Sequence, residues 1–187
     1  MNKRKVLWLI TLGVSVWVAA MATGQLIVLI SGIPASSGVI NGFLVPFLLV
    51  LGVQMVRSHW GVTISFTIYS LLSIPTVLLG PPGIHKLFVG CTAGLITDFI
   101  IFLLGKLKAN AIVKYSISFL FWGLSLAFLA LLCYKLIDLP GKEKFFAAFV
   151  AMALIFVIGS VVGSILATYY YKKRELENSA LVKRLNS

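Results

Sequence analysis

Apolar residues in this chain come in long runs separated by short polar breaks, and within each run the apolar character covers every face. Six runs stand out, over residues 6–30, 39–56, 61–79, 87–104, 112–137 and 145–171. Each is near or above the roughly 20 residues that carry a helix across a bilayer. A membrane barrel would instead show alternating polarity over about 10 residues per strand, and these runs do not alternate. The pattern predicts an all-α integral membrane protein: one domain over residues 1–187 with six transmembrane helices, ending in a basic tail at 172–187.

Composition agrees. The chain is 60% hydrophobic and 11% charged, with a mean hydropathy of +1.05, whereas roughly a quarter of the residues of a soluble domain are charged. The net charge of +11 would suggest a nucleic-acid partner in a soluble protein. Here the placement of the charges accounts for it. With the N-terminus inside, Lys3, Arg4, Lys5, Arg57, Lys106, Lys108, Lys114, Lys172, Lys173, Arg174, Lys183 and Arg184 share one side, and only Lys86, Lys135, Lys142 and Lys144 lie on the other. That bias predicts both termini in the cytoplasm. The tail "YYYKKRELENSALVKRLNS" then meets anionic lipid, and no nucleic acid is expected.

The opening "MNKRK", followed by an apolar run and "AMA" at Ala20–Ala22, also imitates a cleavable signal peptide. The run continues through "LIVLI", longer than such a segment needs, so an uncleaved first helix is expected. Cys91 and Cys133 fall near the outer ends of their helices and read as small apolar fillers, with no metal-site spacing.

The connections differ in character. The first outer one, "SGIPASSGVING" at 31–42, is rich in Gly, Ser and Pro and suits a lid; "GPPGIHK" and "DLPGKEK" are the other two outer connections. The inner connections "RSHW" and "GKLKAN" are short and basic. Two helices carry small residues at four-residue spacing, which lets backbones approach closely in a membrane. In the first, Thr11, Ser15, Ala19 and Thr23 form a stripe with Ala20 and Gly24 beside it; in the sixth, Gly159, Gly163 and Ala167 are flanked by Ser160 and Ser164. Either stripe fits internal packing or a docking face for another membrane protein.

Catalytic chemistry is not apparent. The sequence has no G-x-x-x-x-G-K-[ST], H-E-x-x-H or G-x-S-x-G, no paired intramembrane carboxylates, and its two histidines, His59 and His85, fall on opposite sides. No enzyme, cofactor or metal site is expected, and a lipid-modifying enzyme would need an acid or nucleophile cluster that is missing.

The order of features resembles the substrate-binding S components of energy-coupling factor (ECF) vitamin transporters. The likeness is carried by the six-helix plan with termini inside, the small-residue stripe in helix one, the loop leading into "GVINGFLVPFLLVLG", and the stretch "HWGVTISFTIYSLLSIPTVLLGPPGIHKLFVGCTAGLITDFIIFLLGK". The resemblance implies a protein of the prokaryotic cell membrane that captures a vitamin-like micronutrient on its outer face. Its partners would be a transmembrane coupling subunit and two cytoplasmic ATPases. By the same resemblance, the outer halves of helices four to six form the pocket and the first outer loop closes it. Mapped onto this chain, the pocket candidates are His85, Lys86, Phe88, Thr92, Tyr134, Lys135, Phe145, Phe146 and Phe149, with Ser36, Ser37 and Asn41 from the lid region. The docking candidates are Ser15, Ala19, Ala20, Thr23 and Gly24. The alternative is a membrane scaffold whose small-residue faces assemble a complex without transporting anything.

One residue stands apart. Asp98, within "GLITDFIIFLLG", lies eleven residues past Leu87, about 16 Å along a helix and just past the middle of a roughly 30 Å hydrocarbon core. An unpartnered carboxylate there is costly, so Asp98 is expected to face the bundle, protonated or hydrogen-bonded to groups such as Gln54, Arg57, Thr63 or Ser65. Its role is then either structural support or coupling of substrate release to the cytoplasmic machinery.

Overall fold

The computed structural model describes residues 2–31, 37–76, 78, 82–136, 142–174 and 179–186. Among these residues every regular element is a helix: α1 (Lys3–Ser31), α2 (Ser37–Val56), α3 (Gly61–Ser73), α4 (His85–Lys106), α5 (Ala111–Leu136), α6 (Lys142–Lys173) and α7 (Ala180–Asn186). Among the described residues, four stretches are long and apolar enough to cross a membrane: Lys3–Ile27, His85–Lys106, Ala111–Cys133 and Ala153–Lys173. Ile40–Val56 and Gly61–Ser73 are shorter apolar helices. Among the described residues the architecture is all-helical and consistent with a multi-pass membrane protein.

The third apolar run is helical only as far as Ser73, six residues short of the end expected from hydropathy. Pro75 supplies no backbone N–H and so interrupts the helical ladder. The Leu71 carbonyl, which Pro75 cannot serve, accepts from the Ile74 N–H at 3.3 Å, and the Ser73 carbonyl at the helix end accepts from the Thr76 N–H at 3.0 Å and the Thr76 hydroxyl at 2.9 Å.

The first six helices pack in a closed circuit, α1 on α2, α2 on α6, α6 on α5, α5 on α4, α4 on α3 and α3 back on α1. Its centre is aromatic. Trp122 of α5 is fully buried and meets Phe66 of α3 edge-on, with ring centroids 5.0 Å apart. The same indole stacks on Phe156 of α6 at 5.5 Å. Glycines set the closest approaches: a Cβ on Gly163 of α6 would lie 2.5 Å from the Phe43 carbonyl of α2, and one on Gly159 would lie 3.1 Å from Gly42. The sixth-helix small-residue stripe is therefore a seam inside the bundle.

The basic tail contains the short helix α7. Its Val182 and Leu185 are buried, and Leu185 completes a cluster with Leu9 of α1 and Val56 of α2. Asn186 donates to the Met55 carbonyl at 3.0 Å. Leu185→Asp should release this helix, because burying a Leu side chain contributes about 1.5–3 kcal/mol. Tryptic cleavage after Lys183 and Arg184 should then speed up at least tenfold while the melting temperature of the bundle moves little; cleavage at the native rate would show that the contact does not hold the tail.

Candidate functional site

Helix α3 has only 13 residues and begins without a side-chain cap, since Trp60 at its N-cap makes none. The first N–H groups of a helix have no partners within it. Asp98 of α4 provides them. One carboxylate oxygen accepts from the Val62 N–H at 3.2 Å; the other accepts from the Thr63 N–H at 2.8 Å and the Thr63 hydroxyl at 2.7 Å. The opposite end of α3 is served by the same neighbour. The Lys86 ammonium donates to the Ser73 carbonyl at 2.9 Å and to the Thr76 carbonyl at 2.5 Å. A carboxylate thus sits at the positive end of the α3 dipole and an ammonium at its negative end, the stabilising sense at both.

These two charges belong to one ladder on α4, Lys86–Gly90–Gly94–Asp98, stepping four residues at a time. The ladder spans about 18 Å at 1.5 Å per residue, the length needed to reach both ends of α3. Gly90 and Gly94 permit the contact. A Cβ on Gly94 would lie 2.7 Å from the Thr63 Cα, and one on Gly90 would collide with the Ser70 hydroxyl. Asp98 is 3% exposed and faces the bundle, as its depth requires. Of the partners expected for it, Thr63 is realised. Ser65 instead donates to the Leu9 carbonyl at 2.9 Å, and Gln54 to the Thr168 hydroxyl at 3.0 Å.

The outer-pocket candidates separate. Asn41 is buried and ties α2 to α1: its amide donates to the Ala20 carbonyl at 3.2 Å, and its carbonyl accepts from the Thr23 hydroxyl at 3.1 Å. His85 is buried beside Lys86, Thr92 is half-buried, and Phe88 and Lys135 are exposed. No hydrogen bond joins Asn41, Lys86 and Lys135 to one another. The side chains of Tyr134, Phe145, Phe146, Phe149, Ser36 and Ser37 lie outside the described residues.

The docking candidates divide between two faces of α1. Ala20 and Gly24 are buried within the bundle, Ala19 and Thr23 are half-buried, and Ser15 is exposed beside Thr11, Val14 and Val18. Gly13, absent from that stripe, makes the tight contact, since a Cβ there would collide with the Ser65 carbonyl of α3. Cys91 and Cys133 are free thiols, and no group of three or more potential metal ligands occurs among the described residues.

Treating Asp98 as an isolated carboxylate hid the ladder, although its signal is in the sequence: two glycines four apart, with opposite charges one further step away at either end. The chain matches no protein-family model, no curated protein and no solved structure.

Proposed function

We propose that the protein is a non-enzymatic subunit with six membrane spans and cytoplasmic termini, which captures a vitamin-like micronutrient on its outer face. In this reading it serves as the S component of an ECF-type importer, together with a transmembrane coupling subunit and two cytoplasmic ATPases. The observation that carries the reading is the outward face of α1. Only 22% of its membrane window is buried, the smallest share among the four long apolar helices. That face presents Thr11 and Ser15 among Leu7, Val14 and Val18. Lipid contact alone requires no hydroxyls there, whereas close approach of a partner helix uses small and hydroxylated residues.

A second reading, an assembly scaffold without a cargo, is favoured by a different observation. The polar atoms of Asn41 and the ammonium of Lys86 are engaged by the chain's own helices, which leaves fewer polar groups for a ligand at the outer end.

Native mass spectrometry separates the two. Protein purified in mild detergent from cells grown in rich medium should carry one small molecule. Adding that compound back at about 1,000 times its Kd should stabilise the empty protein by roughly 4 kcal/mol. Empty protein, with no thermal shift across a panel of water-soluble vitamins, would exclude capture and leave the scaffold.

A further inference from the structure

The basic end of the bundle holds a cavity of about 490 Å³ where α2, α4 and α6 finish and α5 begins. A short helix makes room for it. The first turn of α3 meets α4 at Asp98, and α4 runs on to Lys106, about 12 Å further at 1.5 Å per residue. The row on α4 that carries Asp98 continues into that space at four-residue steps, and both Phe102 and Lys106 line the cavity. His59, in the connector that leads into α3, lines it as well and is exposed. Its imidazole meets the Phe102 ring edge-on, with centroids 6.0 Å apart. The His59–Phe102 contact therefore lies one turn of α4 nearer the basic end than Asp98.

A buried ionisable group in a membrane bundle marks a functional site together with the group that can bring it a proton. Asp98 is buried, and the exposed imidazole of His59 is within electrostatic reach of its carboxylate. The other titratable groups around the pair, among the described residues, are Arg57 of the connector, Lys106 of α4, Lys114 and Tyr115 of α5 and Tyr171 of α6. Tyr115 also feels the Asp98 charge. From α1, the groups that reach α3 here are the Leu9 carbonyl and Gly13, neither of them titratable. Of the side-chain types around the cavity, only imidazole ordinarily gains and loses its proton around neutral pH. Glu175 and Glu177 lie outside the described residues, and neither enters the relay.

We propose that Asp98 is a proton-binding site reached from the basic end of the bundle through this cavity, with His59 as the relay. The proton passes from solvent at the cavity mouth to the His59 ring and from the ring to one carboxylate oxygen; only bonds to that proton form and break. Its arrival resets the cap on α3. The carboxylate offers two accepting oxygens, whereas the acid turns one of them into an O–H donor. The Val62 N–H, at 3.2 Å, makes the longer of the two amide contacts and is the one that gives way; Thr63 keeps its oxygen at 2.8 Å. The first turn of α3 thus has two hydrogen-bonding states, selected by the proton concentration at the end that the charge bias assigns to the cytoplasm. The site is independent of micronutrient capture.

The aspartate content allows a test that leaves the site intact. Asp98 and Asp138 are the two aspartates of the chain, so Asp138→Asn protein labelled with carbon-13 at the aspartate carboxyl reports Asp98 alone. The protein is placed in liposomes with one orientation, and the medium facing the basic end is stepped from about pH 8 to about pH 5, across the range in which imidazole changes charge. The labelled infrared band should move from carboxylate to protonated acid. Acidifying the opposite side alone should leave it in place. His59→Gln, a change at an exposed position, should slow the conversion at least about tenfold, the lower range of what a positioned proton-transfer group contributes. Gly105→Trp should slow it as well, because Gly105 lines the cavity and a side chain there meets open space; it decides the question if His59→Gln does not fold. The proposal is overturned if no protonated Asp98 band forms, or if it forms equally fast from either side. It is equally overturned if the folded variants convert at the rate of the Asp138→Asn protein.

Discussion

Asp98→Ala should destabilise the protein by about 2–6 kcal/mol, because it strands two backbone N–H donors inside the bundle and each costs roughly 1–3 kcal/mol. Those donors are Val62 and Thr63, in the first turn of a helix that has no cap of its own. Asp98→Asn should fall between the wild type and alanine. The two donors approach different carboxylate oxygens, and an amide offers only one acceptor oxygen. In detergent, the melting temperature should fall by at least several degrees for alanine, at roughly 2–4 °C per kcal/mol for a chain of this size. Lys86→Met should cost less, because the Ser73 carbonyl keeps the Thr76 N–H and hydroxyl as donors. An Asp98→Ala protein melting with the wild type would remove the capping role. A stable Asp98→Asn protein without transport would point to coupling.

The bundle helices were legible because hydropathy reports burial in lipid or protein over a whole run. It does not report hydrogen-bonding capacity, so the apolar residues after Ser73 concealed the break at Pro75. The tail helix α7 was missed for the opposite reason: Val182 and Leu185 are only two apolar positions in a basic segment, and their burial depends on Leu9 and Val56, which are distant in sequence. The α1 stripe shows the limit of four-residue spacing. Positions four apart drift by about 40° around a helix with 3.6 residues per turn. From Thr11 to Thr23 the stripe therefore wraps from the outside toward the α2 seam, where Thr23 meets Asn41. The α4 ladder drifts equally but remains in contact throughout, because rows of i±4 residues form ridges along which a neighbouring helix can cross. Spacing identified candidate rows on both helices; only the crossing of the neighbour determined which row is buried.

Gly94→Ala should destabilise the protein strongly although it adds a single methyl group. The new Cβ would sit 2.7 Å from the Thr63 Cα and 3.2 Å from its amide nitrogen, both backbone atoms of α3. A side chain could rotate away, but here the helix itself must move, and that movement draws the Thr63 N–H from Asp98. Overpacking of this kind costs about 1–3 kcal/mol, and the weakened cap adds roughly 1–3 kcal/mol. The sum exceeds the ~1 kcal/mol that alanine normally gains over glycine within a helix. Gly105→Ala isolates that gain, since its Cβ meets open space, and should melt at or above the wild-type temperature. Gly90→Ala is informative in another way. Its clash is with the Ser70 side chain, whose own Cβ would lie 2.6 Å away, so the double variant Gly90→Ala/Ser70→Gly should recover much of the loss. No side-chain substitution at Thr63 should rescue Gly94→Ala, because the obstacle is main chain. Folded yield and melting temperature across these variants test the arrangement. If Gly94→Ala melts with Gly105→Ala, the α3–α4 contact is looser than the ladder requires, and Asp98 and Lys86 do not hold α3 in the way described.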